Sequence, residues 1–210
     1  MKITKYEHAC LDITEGNTRI IIDPGAFSES IADLGGISAV VVTHVHGDHF
    51  DSEKLQKIIS QNPNAKIFTT QEVVDKFSQN TKTVKNGETV DVNGIVLEFF
   101  GEQHAEIDPK TPLNQNIGVL VNQKLYYPGD SFTECNKQFD ILAVPASAPW
   151  LRVGQTIPLI ENSKCNQVFP IHNALLSDIG DSITNTWLQK FSERSGKSFT
   201  YLKPGESTEI

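Results

Sequence analysis

Apolar and polar positions divide the chain into short strands and a few amphipathic helices. The segment "ITKYEHACLDITE" alternates, turns at Gly16-Asn17 and resumes as "TRIIIDPG", which predicts strands joined by a hairpin. "ISAVVVTH" is instead a continuous β-branched run, the pattern of a strand covered on both faces. Leu55, Ile58 and Ile59 then recur at helical spacing, predicting a helix from about Asp51 to about Ser60 with Asp51 or Ser52 as cap. The strand "AKIFTT" follows, and "QEVVDKFSQ" reads as a second helix with Val73, Val74 and Phe77 turned inward.

The middle of the chain is β-rich. "TKTVKNGETVDVNGIVLEFFGEQHA" contains Asn86-Gly87 and Asn93-Gly94, two turn dipeptides between strand-like runs. A polar loop with Pro109 and Pro112 leads to "IGVLVNQKLYYPGD" and "FDILAVPA". A helix near Thr156–Ser163 precedes the strand "NQVFPIH", and a last helix carries Ile183, Trp187, Leu188 and Phe191. "SFTYLKPGEST" closes the chain as a strand and a turn. Buried Val/Ile-rich strands need cover, and the amphipathic helices supply it. The expected fold is α/β: two mixed β-sheets face to face with helices on both outer faces, in one domain spanning 1–210. An echo between "RIIIDPG" and "KLYYPGD" points to two related halves.

Composition narrows the function. Hydrophobic residues make up 38% and charged residues 21%, the balance of a folded soluble protein. No apolar run reaches the length of a membrane span, and charges interrupt the N-terminal stretch where a signal peptide needs an apolar block, so a cytoplasmic location is expected. The net charge is −8 and no Lys/Arg cluster is visible, which disfavours nucleic acid as partner. Cys10, Cys135 and Cys165 lack any CxxC spacing, so they read as free thiols rather than disulfides or thiolate zinc ligands.

The chemistry is concentrated in "THVHGDH". It places His44, His46, Asp48 and His49 within six positions, in a chain with six histidines. Residues i and i+2 of an extended chain share a side, so His44 and His46 can grip one ion. Gly47 lets the backbone turn, and Asp48 and His49 can then face a second ion. Imidazole and carboxylate suit zinc, manganese or iron. Further candidates each follow a strand-like run: His104, Asp130 and His172.

This pattern resembles that of the metallo-β-lactamase superfamily. "THVHGDH" is similar to its HxHxDH signature, and Asp23 in "IIIDPG", His104, Asp130 in a "GDS" turn and His172 follow the family's order. The resemblance implies an αββα sandwich and a hydrolase with two divalent cations, zinc first and manganese or iron next. It implies that His44, His46 and His104 hold the first ion, that Asp48, His49 and His172 hold the second, and that Asp130 bridges them. Asp23 is then a residue bracing the metal loop from behind. In such a site two cations acidify a shared water, and Asp48 and Asp130 become the catalytic carboxylates.

The length, "HAC", "PGDS" and "PIH" resemble most closely the small branch of the superfamily that includes L-ascorbate-6-phosphate lactonase. The expected substrate is a small ester, lactone or phosphodiester, anionic in character. A nuclease or phosphodiesterase acting on nucleic acid is the alternative, and a non-catalytic metal-binding protein a third. His8, Trp150 and Arg152 are candidate substrate-binding residues, and the loop "AEIDPKTPLNQN" is long enough to be functional.

Overall fold

A computed structural model describes residues 1–31 and 33–210 of the chain. The first half contributes strands β1 (Lys2–Lys5), β2 (Leu11–Glu15), β3 (Thr18–Ile22), β4 (Ala39–Val42), β5 (Lys66–Thr69) and β6 (Thr81–Thr83). The second contributes β7 (Thr89–Val92), β8 (Ile95–Phe100), β9 (Gly118–Val121), β10 (Leu125–Tyr127), β11 (Ile141–Pro145), β12 (Gln167–Ile171) and β13 (Ser198–Phe199). The closing strand β14 (Ser207–Glu209) returns to pair with β1.

These strands form two seven-stranded sheets, β14-β1-β2-β3-β4-β5-β6 and β13-β12-β11-β10-β9-β8-β7. Each is antiparallel as far as one switch strand and parallel beyond it. The switch strand is β3 in the first sheet and β10 in the second. The echo seen in the sequence is therefore a repeat of sheet plan. "RIIIDPG" and "KLYYPGD" leave equivalent strands, and ligand sites in such sheets gather beyond strand ends at a switch of this kind.

Helices α1 (Ser52–Gln61) and α2 (Gln71–Lys76) cover the outer face of the first sheet, where Leu55, Ile58, Ile59 and Val73 pack with Val40, Val42 and Ile67. Helices α3 (Ile157–Asn162) and α4 (Asp178–Arg194) cover the second, where Leu159, Ile160, Leu188 and Phe191 meet Leu142, Val144 and Val168. Asp51 caps α1 as expected, its carboxylate accepting from the backbone of Glu53 and Lys54. Between the sheets lies the largest apolar cluster, built from Ile20, Ile22, Val41, Leu97, Val119, Phe169 and their neighbours. The three cysteines are free and buried. Among the described residues, no helix is long and apolar enough to cross a membrane.

Three readings of the sequence need correction. The first strand is not continuous: "YEHAC" is a turn, closed by Tyr6 N–H on the Cys10 carbonyl, with His8 at φ 60°. It contains neither Gly nor Pro, so nothing local announced it. Asn86-Gly87 does not join a paired hairpin, because β6 and β7 lie in different sheets; Asn93-Gly94 does join β7 to β8. On α4, Leu188 and Phe191 are buried, but Ile183 and Trp187 are about half exposed. The apolar stripe is wider than the face the sheet can cover.

Candidate metal centre

The run of histidines begins two residues past β4. Its approach is fixed by Asp23, which follows β3 at φ 48°. Thr43 donates both its backbone N–H and its hydroxyl to the Asp23 carboxylate, each at 2.7 Å. Gly25 is required at its place: a Cβ there would lie 1.9 Å from the Asp48 carbonyl oxygen. On the second sheet, Gly129 turns the chain at φ 65°, and a Cβ would meet Asn116 Oδ1 at 2.4 Å. Asn116 holds this turn from both sides, accepting from Asp130 N–H at 3.0 Å and donating to the Pro128 carbonyl at 2.9 Å. Asp130 and His172 thereby reach the same space as the β4 loop.

Five imidazoles are wired in the same sense. His44 Nδ1 lies 3.0 Å from Thr43 Oγ1, whose own proton goes to Asp23, so the imidazole donates. His46 Nε2 donates to Asn114 Oδ1 at 3.1 Å, and His49 Nδ1 donates to Asp23 Oδ2 at 2.6 Å. His104 Nδ1 donates to the Ala105 carbonyl at 2.5 Å, and His172 Nδ1 to the Ser147 carbonyl at 2.6 Å. An imidazole whose outer nitrogen carries the donated proton presents the other nitrogen as a ligand. The inner nitrogens of His44, His49, His104 and His172 lie within 3.9 Å of an Asp130 oxygen, and that of His46 faces His44.

Asp130 is almost fully buried. Its Oδ2 lies 3.1 Å from His172 Nε2, 3.4 Å from His104 Nε2 and 3.9 Å from His44 Nε2, and its Oδ1 lies 3.2 Å from His49 Nε2. Yet His49 Nε2, His104 Nε2, His172 Nε2 and Asp130 Oδ1 have no hydrogen-bond partner among the described residues. They converge on Asp130 and the space beside it. His44 Nε2 and His46 Nδ1 face each other at 3.1 Å, two lone pairs that a shared proton or a bound cation would reconcile. Orphaned buried polar atoms are costly, so this donor set fits bound metal. Two trios of donors can be drawn, His44, His46 and His104, and Asp48, His49 and His172, within 4.8 Å in each case.

The electrostatics agree. Burial would push the Asp130 carboxyl up, but His49 and His172 beside it hold it well below its ordinary value. Burial works against a charged His172, and Asp130 and Asp48 overcome it and raise its pKa to about 9. His49 is raised in the same way by Asp130 and Asp23 against its burial. Burial lowers His44 and His46 and leaves them neutral. Binding of a cation would thus displace protons from the second trio.

His8, Trp150 and Arg152 fall in different places. His8 is buried with its Nε2 2.9 Å from Asp48 Oδ2. Trp150 is buried as well, and its indole N–H donates to Asp130 Oδ2 at 3.0 Å instead of walling an open pocket. Arg152 is exposed two residues further on. The loop after His104 is tied down at its ends beside the centre: His104 N–H donates to the Asn114 carbonyl, and Glu72 on α2 anchors Asn114 and Gln115. Sequence reasoning missed Thr43, Asn114, Asn116 and Tyr127, the last of which donates its hydroxyl to Asp23 at 2.9 Å. Only the "NQN" run at 114–116 gave a signal, as amide side chains at a loop end.

Residues 2–172 match the profile of the β-lactamase superfamily domain. A Mycobacterium tuberculosis protein is 29% identical over 212 residues, covering 95% of this chain and 100% of that one. A UPF0173 metal-dependent hydrolase of Pyrococcus abyssi is 25% identical over 240 residues, covering 100% of both chains. Among solved structures, Igni18, a metallo hydrolase from the archaeon Ignicoccus hospitalis, superimposes with a TM-score of 0.75 at 17% identity, covering 100% of this chain and 98% of that one. At that identity the likeness is one of fold.

Proposed function

The chain belongs to the β-lactamase superfamily, and from that premise we propose that it is a metal-dependent hydrolase with a dinuclear centre. One observation carries the reading: five imidazoles donate outward from one nitrogen and turn the other inward, onto a single cluster with Asp130. In this reading His44, His46 and His104 hold one ion, Asp48, His49 and His172 hold the other, and Asp130 serves both. Zinc is the first choice for so imidazole-rich a set, with manganese and iron next. When bound, such ions supply Lewis acidity, polarising an electrophile and lowering the pKa of water toward about 7.

The chain's own groups do the rest. Asp48 is the carboxylate of the cluster that reaches solvent, with 20% of its side chain exposed against 4% for Asp130. It is therefore the group placed to take a proton from the attacking water and return it to the leaving group. Asp130 is held in one orientation by the Trp150 indole. The rim of the site is apolar. Phe27 packs edge-on against His8, Ile107 and Leu113 line the cavity beside His104, and Leu175 follows Ala174, whose backbone meets His8; all four are exposed. This rim and the net charge of −8 favour a small ester, lactone or phosphodiester with an apolar portion over a polyanion.

Metal-reconstituted protein assayed on aryl and acyl esters, lactones, model phosphodiesters and structured RNA tests the reading. Turnover of a small substrate with an apolar group is expected to exceed RNA cleavage. RNA cleaved faster than every small substrate would overturn it in favour of a nuclease.

A further inference from the structure

His8 lies near enough to the second trio to pass for a fourth ligand: His8, Asp48, His49 and His172 form one group within 4.8 Å. Its wiring is the opposite of a ligand's. Its Nδ1 accepts the Ala174 backbone N–H at 3.3 Å, whereas each of the five inward-facing imidazoles donates from its outer nitrogen. With Nδ1 accepting, the ring proton sits on Nε2, and Nε2 is 2.9 Å from Asp48 Oδ2. The nitrogen that faces the centre is thus a donor with no lone pair to offer.

We infer that His8 is a positioning residue, which fixes the Asp48 carboxylate by donating a hydrogen bond to it and does not itself bind metal. This rests on the dinuclear reading above and specifies one half of it. The placement is tightly built. The His8 ring lies 3.9 Å from the His172 ring between centroids and has Phe27 edge-on at 5.2 Å. Its carbonyl accepts the His172 N–H at 2.8 Å, so His8 also ties the N-terminal turn of the first sheet to the end of β12 in the second. Both His8 and His172 sit at φ 60°, a left-handed conformation that costs on the order of 1–3 kcal/mol for a residue other than glycine. That conformation directs the ring at Asp48, the one acid of the cluster with solvent access. Without the donor, Asp48 keeps no hydrogen-bond partner among the described side chains other than groups of the centre itself.

Two variants separate this role from ligation and from a general need for the turn. Asn tolerates φ near 60° but is too short to reach Asp48, and Gln places an N–H close to where His8 Nε2 stands. Apo protein is titrated with Co²⁺ by calorimetry, with visible absorption followed in parallel. Wild type is expected to take up two equivalents. His8→Asn should weaken one equivalent by about 10–100-fold, leave the other unchanged and alter the absorption bands of the weakened ion alone. His8→Gln should recover most of the loss. The inference is overturned if His8→Asn binds both equivalents like wild type, if it weakens both alike, or if His8→Gln is no better than His8→Asn. Wild type that binds no cobalt would instead overturn the metal reading, and this inference with it.

Discussion

The two trios of the centre are braced differently. His44 and His104 are oriented by their immediate neighbours, Thr43 and the Ala105 carbonyl, and only His46 reaches further, to Asn114. Asp48, His49 and His172 are oriented by His8, Asp23 and the Ser147 carbonyl, 40, 26 and 25 residues away in sequence. The bonds that orient the first trio are mostly local, although His104 reaches it from the second sheet and Thr43 is itself held by Asp23. The second exists only once β1, β3, β11 and β12 have met. It also holds the left-handed His172, so its geometry stores strain that the surrounding packing maintains. Substitutions far from the centre should therefore reach the second trio before the first.

The largest effect belongs to the residue both trios share. Asp130→Ala removes the carboxylate that lies within 3.4 Å of three imidazoles, and turnover at saturating metal should fall by more than the roughly 100-fold typical for loss of an orienting partner. Asp23→Asn should weigh more on the second trio, whose His49 Asp23 orients directly, than on the first, which it reaches only through Thr43. It replaces the acceptor of His49, Thr43 and Tyr127 with an amide, which should weaken the second trio's ion by about 10–100-fold. It should also lower Tm by about 5 °C, from roughly 2 kcal/mol of charged hydrogen bonding. Equal and small losses in both variants, measured by turnover and thermal melting, would break the comparison. Trp150→Phe leaves a smaller aromatic ring and removes the donor to Asp130; about a tenfold loss of turnover with a Tm lowered by only a few degrees would mark orientation of the shared carboxylate.

The effect least tied to turnover comes from the far-braced side. Lys5 is buried and donates to Asn173 Oδ1 at 3.1 Å, next to His172. Burial lowers its pKa to about 8 against the attraction of Asp181. The native state therefore loses this proton near pH 8, while the unfolded chain keeps it to about pH 10.4. Across that window the unfolded state binds more protons, so unfolding free energy rises with pH by up to about 1.4 kcal/mol per unit. Denaturant melts of wild type and Lys5→Met from pH 7 to 10 check this: the wild type should gain on the variant above pH 8 and not below it.

The same contrast explains what the sequence disclosed. His44, His46, Asp48 and His49 are legible because i, i+2 spacing and a following glycine are local facts. The two sheets and the repeat of their plan were legible from continuous β-branched runs and from "IIIDPG" against "YYPGD". The turn at His8 was not, because no residue in "YEHAC" demands one; its φ is imposed by the His172 N–H on its carbonyl and the Ala174 N–H on its ring. The Trp150 donor, the Tyr127 hydroxyl on Asp23 and Asn116 at the Gly129 turn each join segments distant in sequence, and periodicity carries no trace of such pairings. Ile183 and Trp187 show the reverse error, since helical spacing registers an apolar stripe without knowing how much of it a sheet will cover.

On the proposed reading, the inward-facing nitrogens and Asp130 form one centre for two ions. Protein stripped by chelator, reconstituted with zinc and freed of excess by gel filtration can be analysed for metal per chain by mass spectrometry. The account predicts two zinc ions per chain in wild type, falling to one in His172→Ala, which leaves the first trio intact. One ion or none in wild type, or two retained in His172→Ala, would contradict it.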